Sequence, residues 1–381
     1  MTSKRTMPQN ATRGLAFLYD FLQVPGGAEQ VALNFVNFFR NARLVVGCLN
    51  EELFAEALLD SSRLTVLGKK YEHPAFQALN AIRVFTRRTG FLADFKTVVY
   101  SGSYAPLAVR SHGRGKNIYY CHTPPRFVYD LKDYYWQEAA PWQRPALAYL
   151  VNSLKGRYEE SIKKMDVVLA NSANVKGRLE RYLGLSDVRV LHPPVDTEAF
   201  RWLSQGDYYL STARLEPYKR VDLVIDAFSQ MPDKKLVVAG AGSELGRLKK
   251  RAGNASNIAF TGWVSAAEMA RLIGQCIATI YVPMDEDFGM SPVESMAAGK
   301  PVIGVAEGGL LETVTPGSTG LLIPRVTPDD GWQSAVSELV NAVNQMNSRR
   351  ANEMRSDCEI RSSAYGQEAF FRGMQASIGA D

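Results

Sequence analysis

The stretch VDLVIDAFSQMPDKKLVVAG, residues 221–240, reads as a helix followed by a strand. Apolar residues recur every three or four positions over Val221–Gln230, which is helical spacing. Leu236–Ala239 is then apolar at consecutive positions, as a strand covered on both faces must be. A strand at Tyr208–Ser211 precedes the helix, so the segment is a β-α-β unit. Working outward, the pattern repeats. Strands are expected at Ile258–Phe260, Ala278–Val282 and Val302–Val305 on one side. On the other side they are expected at Gly14–Tyr19, Leu44–Leu49, Leu64–Leu67, Thr97–Tyr100, Asn117–Cys121, Val167–Ala170 and Val188–Leu191, with a clear helix at Ala28–Phe39. Such alternation argues for an α/β chain with parallel sheets.

Two series of strands are too many for one core. The break is expected in His192-Pro193-Pro194-Val195-Asp196, where two prolines forbid regular structure. This divides the chain into a domain over 1–195, a second over 196–365, and a C-terminal helix over 366–381 expected to pack back on the first. Each domain reads as doubly wound and Rossmann-like, the two facing each other across a cleft. Ligands of such sheets bind beyond the carboxyl ends of the strands, so chemistry is expected in the loops that follow strands.

Composition narrows the class. The chain has 381 residues, 46% hydrophobic and 22% charged, with a net charge of +5. No apolar run approaches the ~20 residues a membrane-spanning helix needs, and the polar opening MTSKRTMPQNATRG does not read as a secretory leader. Cys48, Cys121, Cys276 and Cys358 are scattered singly, which suggests neither disulfides nor zinc and fits a reducing, cytoplasmic location. Residues 1–195 carry 26 Lys and Arg against 16 Asp and Glu, a net of +10, while the remainder carries 18 against 23, a net of −5. A basic front half suits an anionic partner such as a phosphorylated substrate, nucleic acid or an acidic membrane surface.

The densest chemistry lies in Pro283–Ile303. A buried strand ends in the acidic loop Asp285-Glu286-Asp287, and a helix is expected from Ser291, with Pro292 in its first turn and Glu294 closing a capping box on Ser291. The backbone N–H groups of Phe288, Gly289, Met290 and Ser291 then face a ligand, and Glu286 and Glu294 share one pocket as acceptors for vicinal hydroxyls. In Ala213–Asp222, Arg214 leaves a strand and Lys219 opens the next helix. A guanidinium beside an ammonium suits a diphosphate, and can neutralise a departing one. Gly26-Gly27 allows close backbone approach after the first strand. Gly262-Trp263-Val264 follows a strand and can present backbone to a base. Gly240-Ala241-Gly242 is an incomplete dinucleotide fingerprint. His122 lies immediately past a strand, in a loop stiffened by Pro124 and Pro125 where it would point into the cleft, although a hydrogen-bonded structural histidine is the commoner case; His73, His112 and His192 read as structural.

These residues resemble the retaining glycosyltransferases of family 4, which have the two-domain GT-B fold. The resemblance rests on Glu286-x7-Glu294 continuing into AAGKPVIG, on ARLEPYK (213–219), GGAE (26–29), DVVLANS (166–172), HPPVDTEAF (192–200), FTGWV (260–264), and EGGLLETV (307–314) followed by TGLLIP (319–324). It implies transfer of a sugar from a nucleotide donor to an acceptor hydroxyl with retention at the anomeric carbon. Arg214 and Lys219 would grip the donor diphosphate, Glu294 the ribose, and Glu286 the sugar hydroxyls with the N–H groups of Gly289, Met290 and Ser291. Gly26 and Gly27 would approach the diphosphate, Val264 the base, and His122 the donor sugar. No metal and no cofactor beyond the donor is implied. Within the family, YYCHTPPRFVYDLKDYYW (119–136) is similar to bacterial mannosyltransferases that build lipopolysaccharide O-antigen from GDP-mannose on undecaprenyl-diphosphate-linked saccharides. That implies a peripheral enzyme at the inner face of the cell membrane, with no nucleic-acid partner. The alternatives are a transferase of the same fold using UDP- or ADP-hexose, and a catalytically silent sugar-nucleotide-binding scaffold.

Overall fold

The computed structural model describes residues 13–24, 26–54, 61–327 and 331–379. The polar opening segment therefore lies, up to residue 12, outside the described residues. Two compact units divide the chain: Met1–Asn171, Val175–Leu191 and Phe371–Asp381 form one, and Ser172–Asn174 with His192–Phe370 form the other.

The first unit is a seven-stranded sheet. Its strands are β1 (Arg13–Leu22), β2 (Ala42–Leu49), β3 (Leu64–Val66), β4 (Phe95–Ser101), β5 (Lys116–Cys121), β6 (Val167–Ala170) and β7 (Val188–Val190), in the order β3-β2-β1-β4-β5-β6-β7. Every pairing is parallel. The chain runs outward one way from β1 and the other way from β4, so the winding reverses between them. Residues such as Val45, Val46, Val98 and Val99 are fully buried because helices cover both faces.

The second unit repeats the design with six strands: β8 (Tyr208–Ser211), β9 (Lys235–Ala239), β10 (Ile258–Gly262), β11 (Thr279–Tyr281), β12 (Val302–Val305) and β13 (Gly320–Ile323). Their order is β10-β9-β8-β11-β12-β13, again all parallel, with the reversal between β8 and β11. The helix read in the opening stretch is present at Val221–Ser229, its Leu223, Val224, Ile225, Ala227 and Phe228 buried. Strand β13 has no counterpart in the sequence reading. It is four residues long and bracketed by Gly and Pro, which reads as turn. Gly320 is required there, since a Cβ would stand 2.1 Å from the Val302 carbonyl of β12.

The chain changes unit at Leu191/His192, ahead of the two prolines rather than after them. His192 packs its ring on Phe288 and Tyr365, and the Val195 N–H donates to the Tyr365 carbonyl at 3.1 Å. At the tail, helix Gln367–Ile378 brings Phe371 flat against Phe38, ring centroids 3.9 Å apart. Among the described residues no helix is long and apolar enough to cross a membrane. None of the four cysteines forms a disulfide, and all four are buried.

Candidate active site

In the second unit, the loops following five of the six strands are tied together at the carboxyl edge of the sheet. After β10, the Gly262 carbonyl accepts from Gly240 N–H at 3.0 Å. After β9, the Ala241 carbonyl accepts from Leu215 N–H at 3.0 Å, and a Cβ on Gly242 would lie 2.3 Å from the Leu215 carbonyl. The glycines of Gly240-Ala241-Gly242 thus serve close packing on the loop after β8. That loop joins the one after β11 through Met284 N–H to the Tyr218 carbonyl, at 2.7 Å. The loop after β12 supports it from beneath, Gly309 N–H donating to the Glu286 carbonyl at 2.7 Å.

Arg214 emerges from the β8 end exposed, its guanidinium bonded to none of the described residues. Lys219 is not at a helix start. It closes the short 3-10 turn Pro217–Lys219, and the helix begins only at Val221, after Arg220 adopts a left-handed conformation with φ 51°. Arg220 is itself buried and ion-paired with buried Glu307, and it donates to the Val326 carbonyl at 3.3 Å. That pair locks the turn to the loop after β12.

Lys219 is 9% exposed. Its Nζ donates to Glu286 Oε2 at 2.5 Å and to the Tyr281 hydroxyl at 3.1 Å, while Tyr281 donates to the same Oε2 at 2.9 Å. Burial pulls the ammonium's pKa down, but the adjacent Glu286 carboxylate outweighs it and holds the pKa above the ordinary lysine value. Neither local partner competes for it: Glu216 accepts from Ser243, and Asp222 pairs with Arg247. Asp285, the residue before Glu286, sits at φ 44°. Asn174 donates to the Glu286 carbonyl at 2.9 Å and Ser172 to the Asp287 carbonyl at 2.6 Å. Gly308, at φ 61°, leaves no room for a side chain: a Cβ would lie 2.4 Å from the Glu286 carbonyl. Tyr281, Asn174, Ser172 and the Gly308-Gly309 pair escaped the sequence reading, although EGG and DVVLANS were visible as motifs.

The expected capping box is not formed. The helix spans Met290–Ala297 and is capped by Gly289 at φ 89° with no side-chain cap, so Ser291 lies inside it and touches Glu294 only at 3.4 Å. Left-handed Gly289 starts the helix two residues earlier than the Ser-x-x-Glu spacing suggested. The N–H groups of Gly289, Met290 and Ser291 still lack intrahelical acceptors, Pro292 removing the fourth donor from the set. The Phe288 ring is 2% exposed and packs on His192 and Tyr365, so only its backbone can meet a ligand. Val264 is half-buried beside exposed Trp263.

Burial pushes the Glu294 carboxyl up to about 7, with the Ser291 hydroxyl pulling it back. This acid binds more protons folded than unfolded between about 4.5 and about 7, so its contribution to stability falls as pH rises through that window. Glu294→Gln is therefore expected to gain on wild type by about 1–3 kcal/mol across it, measured by urea unfolding at a series of pH values. Parallel pH–stability curves would contradict this.

In the first unit, Gly26 caps helix Gly27–Phe38, and a Cβ on it would lie 2.7 Å from the Glu29 carboxylate. Glu29 accepts from the Tyr19 hydroxyl at 3.0 Å, and Tyr19 meets the His122 ring edge-on at 6.2 Å. His122 Nε2 is buried without a hydrogen-bond partner among the described residues, and burial lowers its pKa to about 4. The imidazole is neutral at physiological pH. Tyr19 and Glu29 were not singled out from sequence. His112, by contrast, bonds Asn117 and the Phe95 carbonyl through its two nitrogens and is structural. Among the described residues no group of three or more His, Cys, Asp or Glu is placed to hold a metal ion.

Comparison with known proteins agrees with this geometry. Residues 25–199 match the family model for Glycosyltransferase Family 4, and residues 196–355 match that for Glycosyl transferases group 1. Between them the two matches support a GT4-type glycosyltransferase of the GT-B fold. An uncharacterized glycosyltransferase of Methanocaldococcus jannaschii is 32% identical over 50% of this chain and 55% of its own length. An alpha-1,3/1,6-mannosyltransferase of Dictyostelium discoideum is 31% identical over 36% of this chain and 38% of its own. The chain thus spans about half, or less, of the curated relatives it matches. Among solved structures, Anabaena HepE in complex with UDP and glucose shares the fold at TM-score 0.72 and 17% identity, covering 96% of this chain and 99% of that one. Sucrose-phosphate synthase from Thermosynechococcus elongatus does so at TM-score 0.73 and 15% identity, covering 96% and 98%.

Proposed function

We propose that the protein transfers mannose from GDP-mannose, with retention, to a hydroxyl of a lipid-linked saccharide of the kind used in O-antigen assembly. The observation that carries the reading is that exposed Arg214 and the Lys219–Glu286 ion pair stand in the loops after β8 and β11, neighbouring strands of one sheet. This arrangement sets two cations for a diphosphate beside a carboxylate for sugar hydroxyls. The 119–136 stretch and the mannosyltransferase relative support mannose.

In the reaction, the acceptor oxygen bonds to the anomeric carbon on the face from which the nucleoside diphosphate leaves. The bond from that carbon to the β-phosphate oxygen breaks, and the departing oxygen takes the acceptor's proton. Arg214, Lys219 and the N–H groups at Met290–Ser291 stabilise the charge that develops on the diphosphate. Glu294 accepts from the ribose and Val264 borders the base. No metal is needed.

A cytoplasmic enzyme held peripherally at the membrane fits the basic front half. A surface suited to anionic lipid lies on helix Pro74–Arg87 and the loop before it, where exposed Lys69, Lys70, Arg83 and Arg87 surround exposed Tyr71, Phe76 and Leu79. Sedimentation with anionic vesicles, lost in Lys70→Glu/Arg83→Glu, is the expected result; equal binding to neutral vesicles argues against it.

The donor is tested by thermal stability under GDP-mannose, UDP-glucose and ADP-glucose. A ligand at ~100 times its Kd stabilises by ~2.7 kcal/mol. A shift with GDP and GDP-mannose alone is expected. A shift with another nucleotide discards mannose, and none with any donor points to a silent scaffold.

A further inference from the structure

We propose that Tyr281 is a positioning residue for the transfer, its hydroxyl joining Lys219 and Glu286 into one hydrogen-bonded triangle at the end of β11. The inference rests on the sugar-nucleotide reading of this site and adds a residue to it. Three contacts define the triangle: Lys219 Nζ to Glu286 Oε2 at 2.5 Å, Lys219 Nζ to Tyr281 Oη at 3.1 Å, and Tyr281 Oη to Glu286 Oε2 at 2.9 Å. All three side chains are largely buried, where an ammonium–carboxylate pair alone keeps freedom to swing about its single contact. A hydroxyl that accepts from the cation and donates to the anion removes that freedom. It also stands as a neutral dipole between the charges, satisfying both without adding charge.

The ammonium has three N–H groups. Two are committed within the triangle and the third serves an anion. The cation lies 5.5 Å from the centroids of both the Tyr281 and Tyr218 rings, so its position is fixed sideways as well. Tyr281 therefore sets where Lys219 meets the diphosphate and how Glu286 presents itself to the sugar, while touching neither. Packing alone does not require the hydroxyl, because phenylalanine fills the same space.

The test compares wild type, Tyr281→Phe, Glu286→Gln and the double variant. Calorimetry with GDP and UDP reads diphosphate affinity without turnover, and a transfer assay reads kcat and KM. Tyr281→Phe is expected to fold with an unchanged melting temperature. It should weaken nucleoside diphosphate binding about fivefold and lower kcat about tenfold. In the Glu286→Gln background it should change either by less than about twofold, since without the carboxylate the triangle that the hydroxyl closes is already open. Unchanged diphosphate affinity in Tyr281→Phe, or effects that multiply in the double variant, overturns the proposal. Wild type that binds diphosphate in a Tyr281-dependent way but transfers no sugar leaves the positioning role standing and removes the transferase reading.

Discussion

Lys219→Met is expected to cost about 3–5 kcal/mol of stability and to abolish measurable transfer. The stability loss comes from what remains: a carboxylate and a phenol, both buried, facing a methyl group where the ammonium stood. Two-state unfolding of a domain of this size should register about 2–4 °C per kcal/mol. The two effects separate in a second variant. Lys219→Met/Glu286→Gln removes the stranded charge, so most of the stability should return, but the diphosphate has lost its cation and transfer should not. If Lys219→Met unfolds at the wild-type temperature, the buried pair is not what the geometry describes. If the double variant regains transfer, Lys219 has no part in the chemistry.

Arg214→Ala is expected to behave in the opposite way. The guanidinium is exposed and bonded to none of the described residues, so unfolding should change by less than about 0.5 kcal/mol. Transfer should fall by about 10²–10³-fold, the loss typical when one preorganised group facing developing charge is removed. Arg214→Lys should recover only part of it, because an ammonium cannot grip two phosphate oxygens as a planar fork does. Kinetic constants for the three proteins, with melting temperatures alongside, decide this. Wild-type turnover in Arg214→Ala would remove the electrostatic half of the mechanism. A large drop in stability would place Arg214 in the framework and not at the ligand.

The fold was legible because parallel strands covered on both faces leave a signal that survives in short runs. VVLA at 167–170 and VIGV at 302–305 are buried at every position, and both were read to the residue. GLLI at 320–323 was missed because its first residue is the glycine that lets β13 approach β12. The candidate residues were legible in position, since Arg214, Lys219, Glu286 and Glu294 all follow strands that the pattern had located. What holds them was not. Tyr281 looked like one more apolar strand residue, and its hydroxyl matters only because Lys219 lies 62 positions away in sequence. Ser172 and Asn174 support a loop more than 110 positions distant, and no local pattern encodes that. Ser291 and Glu294 had the spacing of a capping box, yet left-handed Gly289 took the cap. Phe288 stood in the right motif, but its ring belongs to the core, against His192.

Retaining transfer of mannose from GDP-mannose is tested most directly at the product. Purified protein would be incubated with GDP-mannose and a lipid-linked saccharide acceptor, without added metal, and the new linkage read by NMR from its one-bond anomeric carbon–proton coupling. An α-linked mannose formed in step with GDP release is expected. A β-linked product would contradict retention, and release of free mannose without any new linkage, at the same rate with and without acceptor, would contradict transfer itself.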